Sequence, residues 1–347
     1  MATNLFKISL NVSDSSQGFY MENGEHVVVP PHTALDTAHM SGSYPSILHS
    51  LESFVEELKR REVKRFYIKR TFALGDVLML VPVIRFLRHE GFRPYLYTQE
   101  SFILPLRKLG IPTFNIKNSY QVTDYGIILD GTVEWDHVCP RFQKYHRVEL
   151  YFEALGVRRF PKDLDWHSNL AVFSEVPEIP FDKYIVFQGQ GSHRAKSLPK
   201  ATIEALINQI TKDGVPVVYI GDSIGLNLER KELVHLAFFK YSILQLFSLI
   251  AKARCLITMD SAPLWIAHFT KTPTIGIFGP TDSQIRLKYH PLYPDGVHAL
   301  QLNKRLGCKC CFEAAKDCNW KFQCLQVPAK EIYSDFSGFL ARMMEAG

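Results

Sequence analysis

Residues 253–281, ARCLITMDSAPLWIAHFTKTPTIGIFGPT, decide the fold class that the sequence predicts. The apolar runs Cys255–Met259 and Thr274–Phe278 are typical of strands buried in a parallel sheet. We expect a helix between them, which follows the polar pair Asp260-Ser261 and continues to about Phe269. Ligands of open α/β sheets bind outside the carboxyl ends of the strands. The small polar residues at these two strand ends are therefore expected to form the floor of a ligand site.

The same alternation of strands and helices occurs on both sides of a proline-containing segment at 158–182. It predicts an α/β protein with two Rossmann-like domains that face each other across a cleft. The expected organisation is an N-terminal extension at 1–60, a first domain at 61–165 and a second domain at 166–347. Within the extension, apolar spacing at 47–59 predicts a helix. The second domain includes a cysteine-rich loop at 308–324.

Composition excludes several classes of protein. A chain of 347 residues is long enough for two cores, and no segment reaches the ~18 uninterrupted apolar residues of a membrane span. The N-terminus lacks a basic start followed by a long apolar run, so we expect no signal peptide and a cytoplasmic location. The net charge of +5 permits an anionic ligand such as a nucleotide and does not indicate nucleic acid.

Two glycine-containing loops follow predicted strands. Gly75-Asp76 opens a predicted helix, where Asp76 is either a helix N-cap or a carboxylate directed at a ligand. The loop 189–192, GQGS, is followed closely by Lys196 and is either a phosphate-binding loop or a flexible polar loop. It matches neither the P-loop nor the GxGxxG dinucleotide pattern.

Carboxylates at strand ends are the next candidates. Asp222, in a Gly221-Asp222 turn after a predicted strand, is either a turn residue or an acceptor for ribose hydroxyls. Asp163-Leu164-Asp165 resembles the DxD of metal-dependent sugar transferases, but no strand leads into it, and we discard it. GxSxG, HExxH and EF-hand patterns are absent, and His268 is expected to be a surface or packed histidine and not a catalytic one.

Five of the seven cysteines fall between residues 308 and 324. Cys308 and Cys311 have CxxC spacing, and Cys318 and Cys324 can complete a tetrahedral site for a structural zinc or iron. Cys310 could replace either neighbour, and the alternative is a loop of reduced cysteines without a metal. A closed shell of four thiolates leaves no open position for catalysis.

Taken together, these stretches resemble glycosyltransferase family 9, the ADP-heptose heptosyltransferases of the GT-B fold. The resemblance covers about residues 65–330 and leaves the first 60 or so residues outside it. It is carried by ALGDVLMLVPV at 73–83, KSLP at 196–199, SLIAKAR at 248–254, DSAP at 260–263, GIFGPT at 276–281 and the late cysteine cluster.

The resemblance implies roles for individual residues. Asp76 corresponds to the proposed general base at the acceptor, with Gly75 beside it on the acceptor side, and Lys196 corresponds to a lysine that contacts the donor phosphate. Family members usually have glycine where Ala262 stands and histidine where Trp265 stands, and both departures bear on the donor sugar. Together with the loop and turn residues above, the predicted donor-binding set is Gly191, Ser192, Lys196, Asp222, Asp260, Ser261 and Ala262.

The resemblance also implies an activity, which is inverting transfer of a heptose from an ADP-linked or related nucleotide-sugar to an acceptor hydroxyl. No metal or cofactor takes part in such chemistry. The acceptor would be a saccharide, a lipopolysaccharide-type molecule or a protein. The alternatives are another nucleotide-sugar used on a protein or nucleic-acid acceptor, and a nucleotide-sugar-binding protein that has lost turnover.

Overall fold

The structure, a computed structural model, divides the chain into two compact units, Met1–Asp165 and Trp166–Gly347. It describes five short strands within residues 8–48 and then residues 53–345. Gaps in this second range lie at 72, 118–125, 130–144, 158–160, 162, 174, 176, 223–224, 238–239, 309–310, 312–317 and 319–321.

The first unit opens with short antiparallel strands. β1 pairs with β4, β4 pairs with β5, and β2 and β3 form a separate two-stranded sheet. The helix predicted from residue 47 is wrong at its start, because Leu48 pairs with Ala34 in a sheet. These strands are β1 (Ile8–Asn11), β2 (Gln17–Tyr20), β3 (His26–Val29), β4 (Thr33–Asp36) and β5 (Ile47–Leu48).

A four-stranded parallel sheet in the order β8-β7-β6-β9 forms the rest of the first unit with its helices. Helix α2 is buried almost all round, because its run from Val77 to Ile84 is apolar on every face. The elements are α1 (Ser53–Arg60), β6 (Arg65–Lys69), α2 (Leu74–His89), β7 (Arg93–Thr98), α3 (Glu100–Lys108), β8 (Thr113–Asn115), β9 (Gly126–Ile128) and α4 (Arg147–Ala154).

The second unit contains a six-stranded parallel sheet in the order β12-β11-β10-β13-β14-β15. The chain runs from β10 outward to β12 and then returns to the other side of β10 with β13. The strands are β10 (Ile185–Gln188), β11 (Val217–Tyr219), β12 (Val234–Leu236), β13 (Cys255–Met259), β14 (Thr274–Phe278) and β15 (Val297–Gln301).

Alternate residues of these strands face opposite layers of helices. Ile185 and Phe187 of β10 join one core with apolar residues of α5 and α9, whereas Phe278 of β14 packs with Leu264 of α7. Pro199, predicted within the first turn of α5, is its N-cap residue. The helices are α5 (Lys200–Lys212), α6 (Ile243–Lys252), α7 (Ala262–Thr270), α8 (Ser283–Leu287) and α9 (Ala329–Glu345).

The helices were compared with the requirements of a membrane span. None of them, in the described part of the chain, combines the length and the apolar character of a transmembrane helix.

Two buried histidines meet in the core of the second unit. The rings of His268 and His290 are 4.4 Å apart between centroids, and Trp265 and Trp166 each lie 4.9 Å from His268. Burial lowers the pKa of His268 to about 4, and burial together with His268 lowers the pKa of His290 to about 2. Both rings are therefore neutral in the folded protein, and of the two positions predicted for His268, surface or packed, the structure shows the packed one.

This pair predicts that acid destabilises the second unit. Below pH 6.5 the unfolded chain binds protons that the folded unit does not, so each histidine lowers the free energy of unfolding by up to about 1.4 kcal/mol per pH unit. The stability contribution is complete above pH 7 and declines as the pH falls from about 6.5 towards 4. Urea unfolding followed by tryptophan fluorescence at pH 7.5, 6.5 and 5.5 measures it. We expect a weaker pH dependence in His290→Gln than in wild type, with the exposed His167→Gln as control. Identical slopes in wild type and His290→Gln would contradict the assignment.

Candidate functional site

The predicted acceptor-side residues lie at the start of helix α2 in the first unit. The helix begins at Leu74, and its N-cap residue is Ala73, so the interpretation of Asp76 as an N-cap is wrong. Asp76 lies in the first turn and is buried, as is Gly75. Ala73 has a φ of 56°, which non-glycine residues rarely adopt and which commonly marks strained backbone near functional sites.

The carboxylate of Asp76 lies between two buried arginines. Arg70 Nη2 donates to Oδ2 at 2.9 Å, and Arg147 Nη1 contacts Oδ1. Arg147 is the first residue of α4, which a capping box between His146 and Glu149 holds in place. A buried ion pair is stable only where its partners are close and well oriented. The two arginines therefore stabilise the ionised form of the Asp76 carboxylate.

The predicted phosphate-binding loop is closed on itself in the second unit. Gly191 N–H donates to Lys196 O at 2.9 Å, and Leu198 N–H donates to Gly189 O at the same distance. The Ser197 hydroxyl also bonds to Gly191. The loop is therefore closed by hydrogen bonds between its own residues and the turn that follows it. Lys196 ends a short 3-10 turn that begins at Arg194, while Ser192 lies in the loop and is exposed.

Lys196 and a second cation share one carboxylate oxygen. Lys196 Nζ lies 3.6 Å from Asp260 Oδ2, and Arg286 Nε lies 3.2 Å from the same atom. Asp260 follows β13 directly, and all three side chains are buried. Two cations that converge on one buried carboxylate produce a positive local field, which favours an anionic ligand.

The hydroxyl of Ser261 belongs to a hydrogen-bond network between two strand ends. Ser261 is the N-cap residue of α7, but its side chain makes no cap bond to that helix. It donates instead to Gln188 Oε1 at 2.8 Å, and Thr258 Oγ1 donates to the same oxygen at 2.8 Å. Gln188 ends β10 and Thr258 belongs to β13, so this network joins the carboxyl ends of the two strands. Ala262 begins α7 and leads the backbone into the N-terminus of the helix.

The strand order of the sheet reverses between β10 and β13. Ligands of doubly wound sheets bind at such a switch point, outside the carboxyl ends of the strands. The sequence placed the floor of the site at β13 and β14, and the topology shifts its centre by one strand. Asp222 lies just beyond the end of β11, on the other side of β10, and its side chain is exposed.

Trp265, which stands where the family usually has histidine, belongs to the core. Its side chain is 3% exposed and packs against His268. The indole is thus a packing group within α7.

Of the four predicted metal ligands, Cys324 is buried, Cys308 and Cys318 are partly buried and Cys311 is exposed. Burial and the neighbouring Cys311, Cys318 and Cys308 raise the pKa of Cys324 to about 11, so the thiols are close enough to interact electrostatically. Among the described residues, however, no three histidine, cysteine, aspartate or glutamate side chains have the spacing of metal ligands. An electrostatic influence between thiols extends further than metal coordination, because thiolates bound to one ion lie only about 2.3 Å from it. The donor set fits zinc or iron in chemistry, while its spacing in the structure is wider than a metal shell.

Sequence reasoning missed several residues of these two clusters. Arg70 and Arg147 in the first unit, and Gln188, Thr258 and Arg286 in the second, carry no motif of their own. The signal available for Gln188 was its place at the end of a predicted strand, before a glycine.

One model of a protein family matches the sequence. The family model of glycosyltransferase family 9 (heptosyltransferase) matches residues 146–319, which is half of the chain. No curated protein matches the chain in sequence.

Solved structures of glycosyltransferases are similar to the chain in fold. One is the iron-containing dodecameric glycosyltransferase TibC from enterotoxigenic E. coli H10407, with a TM-score of 0.58 and 16% identity over 98% of this chain and 96% of that chain. TibC in complex with ADP-D-beta-D-heptose gives 0.59 and 15% over 97% and 94%. E. coli heptosyltransferase WaaC with ADP gives 0.51 and 15% over 81% and 99%. The predicted GT-B fold is confirmed.

Proposed function

Because the chain belongs to glycosyltransferase family 9, we propose that it moves a heptose from an ADP-linked or closely related nucleotide-sugar to an acceptor hydroxyl. The observation that carries the proposal is the pair of cations, Lys196 and Arg286, held by Asp260 at the switch point of the sheet. A diphosphate is the anionic ligand that such a site, beside the N-terminus of α7, is suited to bind.

The reaction forms one bond and breaks one. The acceptor oxygen attacks the anomeric carbon of the sugar and forms the new glycosidic bond, while the bond between that carbon and the diphosphate oxygen breaks. The electron pair of the broken bond leaves with the diphosphate, and the acceptor proton passes to a base. Attack opposite the leaving group inverts the anomeric centre.

Asp76 is the proposed base. A carboxylate is ionised near neutral pH and can accept the proton as the acceptor oxygen attacks. Its contacts with Arg70 and Arg147 hold it in one orientation, which supports a positioned base. Gly75, next to it, leaves room on the acceptor side.

Lys196, Ser192 and the N–H groups at the start of α7 stabilise the charge on the departing diphosphate in this proposal. These groups perform the role that a divalent cation has in other sugar transferases, so the chemistry is proposed to be metal-independent. Gly191, Asp222, Asp260, Ser261 and Ala262 complete the donor site. The proposed acceptor is a saccharide, a lipopolysaccharide-type molecule or a protein.

The cysteine loop is proposed to hold a structural zinc or iron through Cys308, Cys311, Cys318 and Cys324. The CxxC spacing of Cys308 and Cys311, with Cys318 and Cys324 later in the same loop, supports it. TibC, which is similar in fold, is described as iron-containing. A bound ion would cross-link the loop and takes no part in the transfer step.

Removal of the Lys196 ammonium should weaken donor binding. Loss of one charge-assisted contact corresponds to roughly tenfold to a hundredfold in affinity for ADP. Calorimetric titration of Lys196→Ala with ADP measures the effect, and Lys200→Ala, whose side chain is 52% exposed, is the matched control. Equal affinity of Lys196→Ala and wild type for ADP would exclude Lys196 from the donor site.

Replacement of Asp76 by asparagine should abolish the base and slow transfer by about 10²–10⁴-fold. The two arginines also lose their carboxylate, so we expect a lower melting temperature, and the rates are compared well below it. Mass spectrometry of cell extract incubated with labelled ADP-heptose measures transfer, with UDP-glucose and GDP-mannose as competing donors. Asp165→Asn, an exposed carboxylate paired with Arg85, is the control. If Asp76→Asn transferred sugar at the wild-type rate, Asp76 would not be the base, and its role would be that of a structural ion-pair partner.

The metal proposal predicts one zinc or iron per chain in protein purified without oxygen or chelators. Elemental analysis of wild type and of Cys318→Ser measures the content, and Cys255→Ser, a buried cysteine of β13, serves as the control. We expect the metal to be reduced severalfold in Cys318→Ser alone. Wild-type protein without bound metal would refute the site.

A further inference from the structure

The side chain of Gln190 is held in one orientation at the carboxyl edge of the second unit's sheet. Its Oε1 accepts a hydrogen bond from the Tyr219 hydroxyl at 2.9 Å and another from Asp222 N–H at 3.0 Å. A backbone N–H can only donate, so the group that faces it must be the amide oxygen. Burial and the nearby Asp222 carboxylate raise the pKa of Tyr219, and its hydroxyl therefore keeps the proton that it donates.

Because Gln190 Oε1 faces the Tyr219 hydroxyl and Asp222 N–H, the amide nitrogen Nε2 points away from these two groups. No described residue accepts a hydrogen bond from Gln190 Nε2, and the side chain is only partly buried. Gly221 makes this arrangement sterically feasible, because a Cβ there would lie 3.0 Å from both Gln190 Oε1 and the Tyr219 hydroxyl. The protein thus presents two N–H donors whose direction is set before any ligand arrives.

The surroundings of this amide identify the part of a nucleotide that it can reach. Gln190 belongs to the predicted phosphate-binding loop at 189–192, and the next residue, Gly191, donates its N–H to Lys196 O. On its other side is Asp222, whose exposed carboxylate accepts hydrogen bonds and lies beyond the second strand of the half-sheet, where Rossmann-like domains hold ribose. An amide donor next to a carboxylate acceptor is complementary to a vicinal diol, since each hydroxyl both donates and accepts.

We propose that Gln190 is a specificity-determining residue that donates a hydrogen bond to a ribose hydroxyl of the nucleotide, beside Asp222. The proposal rests on the nucleotide-sugar activity proposed above. It assigns selection of a ribonucleotide over its deoxy analogues to a residue of the loop at 189–192 for which the sequence predicted no separate role. Tyr219 acts through Gln190 as a positioning residue.

The test compares wild type and Gln190→Met with ADP, 2′-deoxy-ADP and 3′-deoxy-ADP by calorimetric titration. Methionine has a similar length and removes both N–H donors, and its thioether is a weak acceptor for the Tyr219 hydroxyl. We expect wild type to prefer ADP over one deoxy analogue by about fivefold to tenfold. The variant should show a preference at least threefold smaller, because it has already lost the bond that the analogue lacks. Gln284→Met, an exposed glutamine on α8, should behave like wild type.

Each outcome bears on a different proposal. If wild type binds ADP and both deoxy analogues equally, or if Gln190→Met retains its preference to within threefold, the assignment of Gln190 is overturned. Should Gln190→Met fail to fold, Gln190→Leu, which also removes both N–H donors, is titrated with ADP and the same two analogues, and the same threefold criterion applies. Absence of ADP binding by wild type would instead overturn the proposed activity, so the two failures are distinguishable.

Discussion

The pairing of β10 with β13 is the constraint on which the candidate donor site depends. Val186 lies opposite Leu256 and Gln188 lies opposite Thr258, so the two strands end at the same level of the sheet. Since the loops after β10 and β13 leave the sheet at that edge, Gln188, Ser261, Lys196 and Asp260 are brought together although about seventy residues separate the two groups along the chain. A shift of one residue in this register would reverse the faces and direct these side chains away from one another.

Each of the two units contains a buried carboxylate that is paired with two basic side chains. Asp76 contacts Arg70 and Arg147, and Asp260 contacts Lys196 and Arg286. Removal of a charge from water costs several kcal/mol per ion, and such an ion is retained only where partners are close and well oriented. Each carboxylate therefore fixes the positions of its cations. In the second unit the two cations share Asp260, which follows β13 and precedes the N-terminus of α7, and this is the arrangement on which the proposed diphosphate site rests.

The cysteine loop packs against the elements that form the donor site. The Arg194 guanidinium lies 5.7 Å from the centre of the Phe322 ring, and a Cβ at Gly279 would come within 2.6 Å of Leu325. Asn303 Nδ2 also donates to Cys308 O at 2.9 Å. An ion that cross-linked the thiols would thus stabilise residues in contact with the phosphate-binding loop. This gives the proposed metal a structural role that does not involve the reacting atoms.

Local patterns in the sequence determined the α/β class, most of the elements and the loops that bear the site, because apolar runs and glycine-containing turns act over a few neighbouring residues. The buried strands Cys255–Met259 and Thr274–Phe278 and the loop at 189–192 are examples. Only the tertiary structure decided that the strand order reverses between β10 and β13, that Asp76 lies between two arginines, and that Gln190 is oriented by Tyr219 and Asp222. These features depend on contacts between residues distant in sequence, such as Gln188 with Ser261 and Asp260 with Arg286. No single stretch encodes them, since strand pairing and the burial of charge bring the partners together only when the whole sheet has formed.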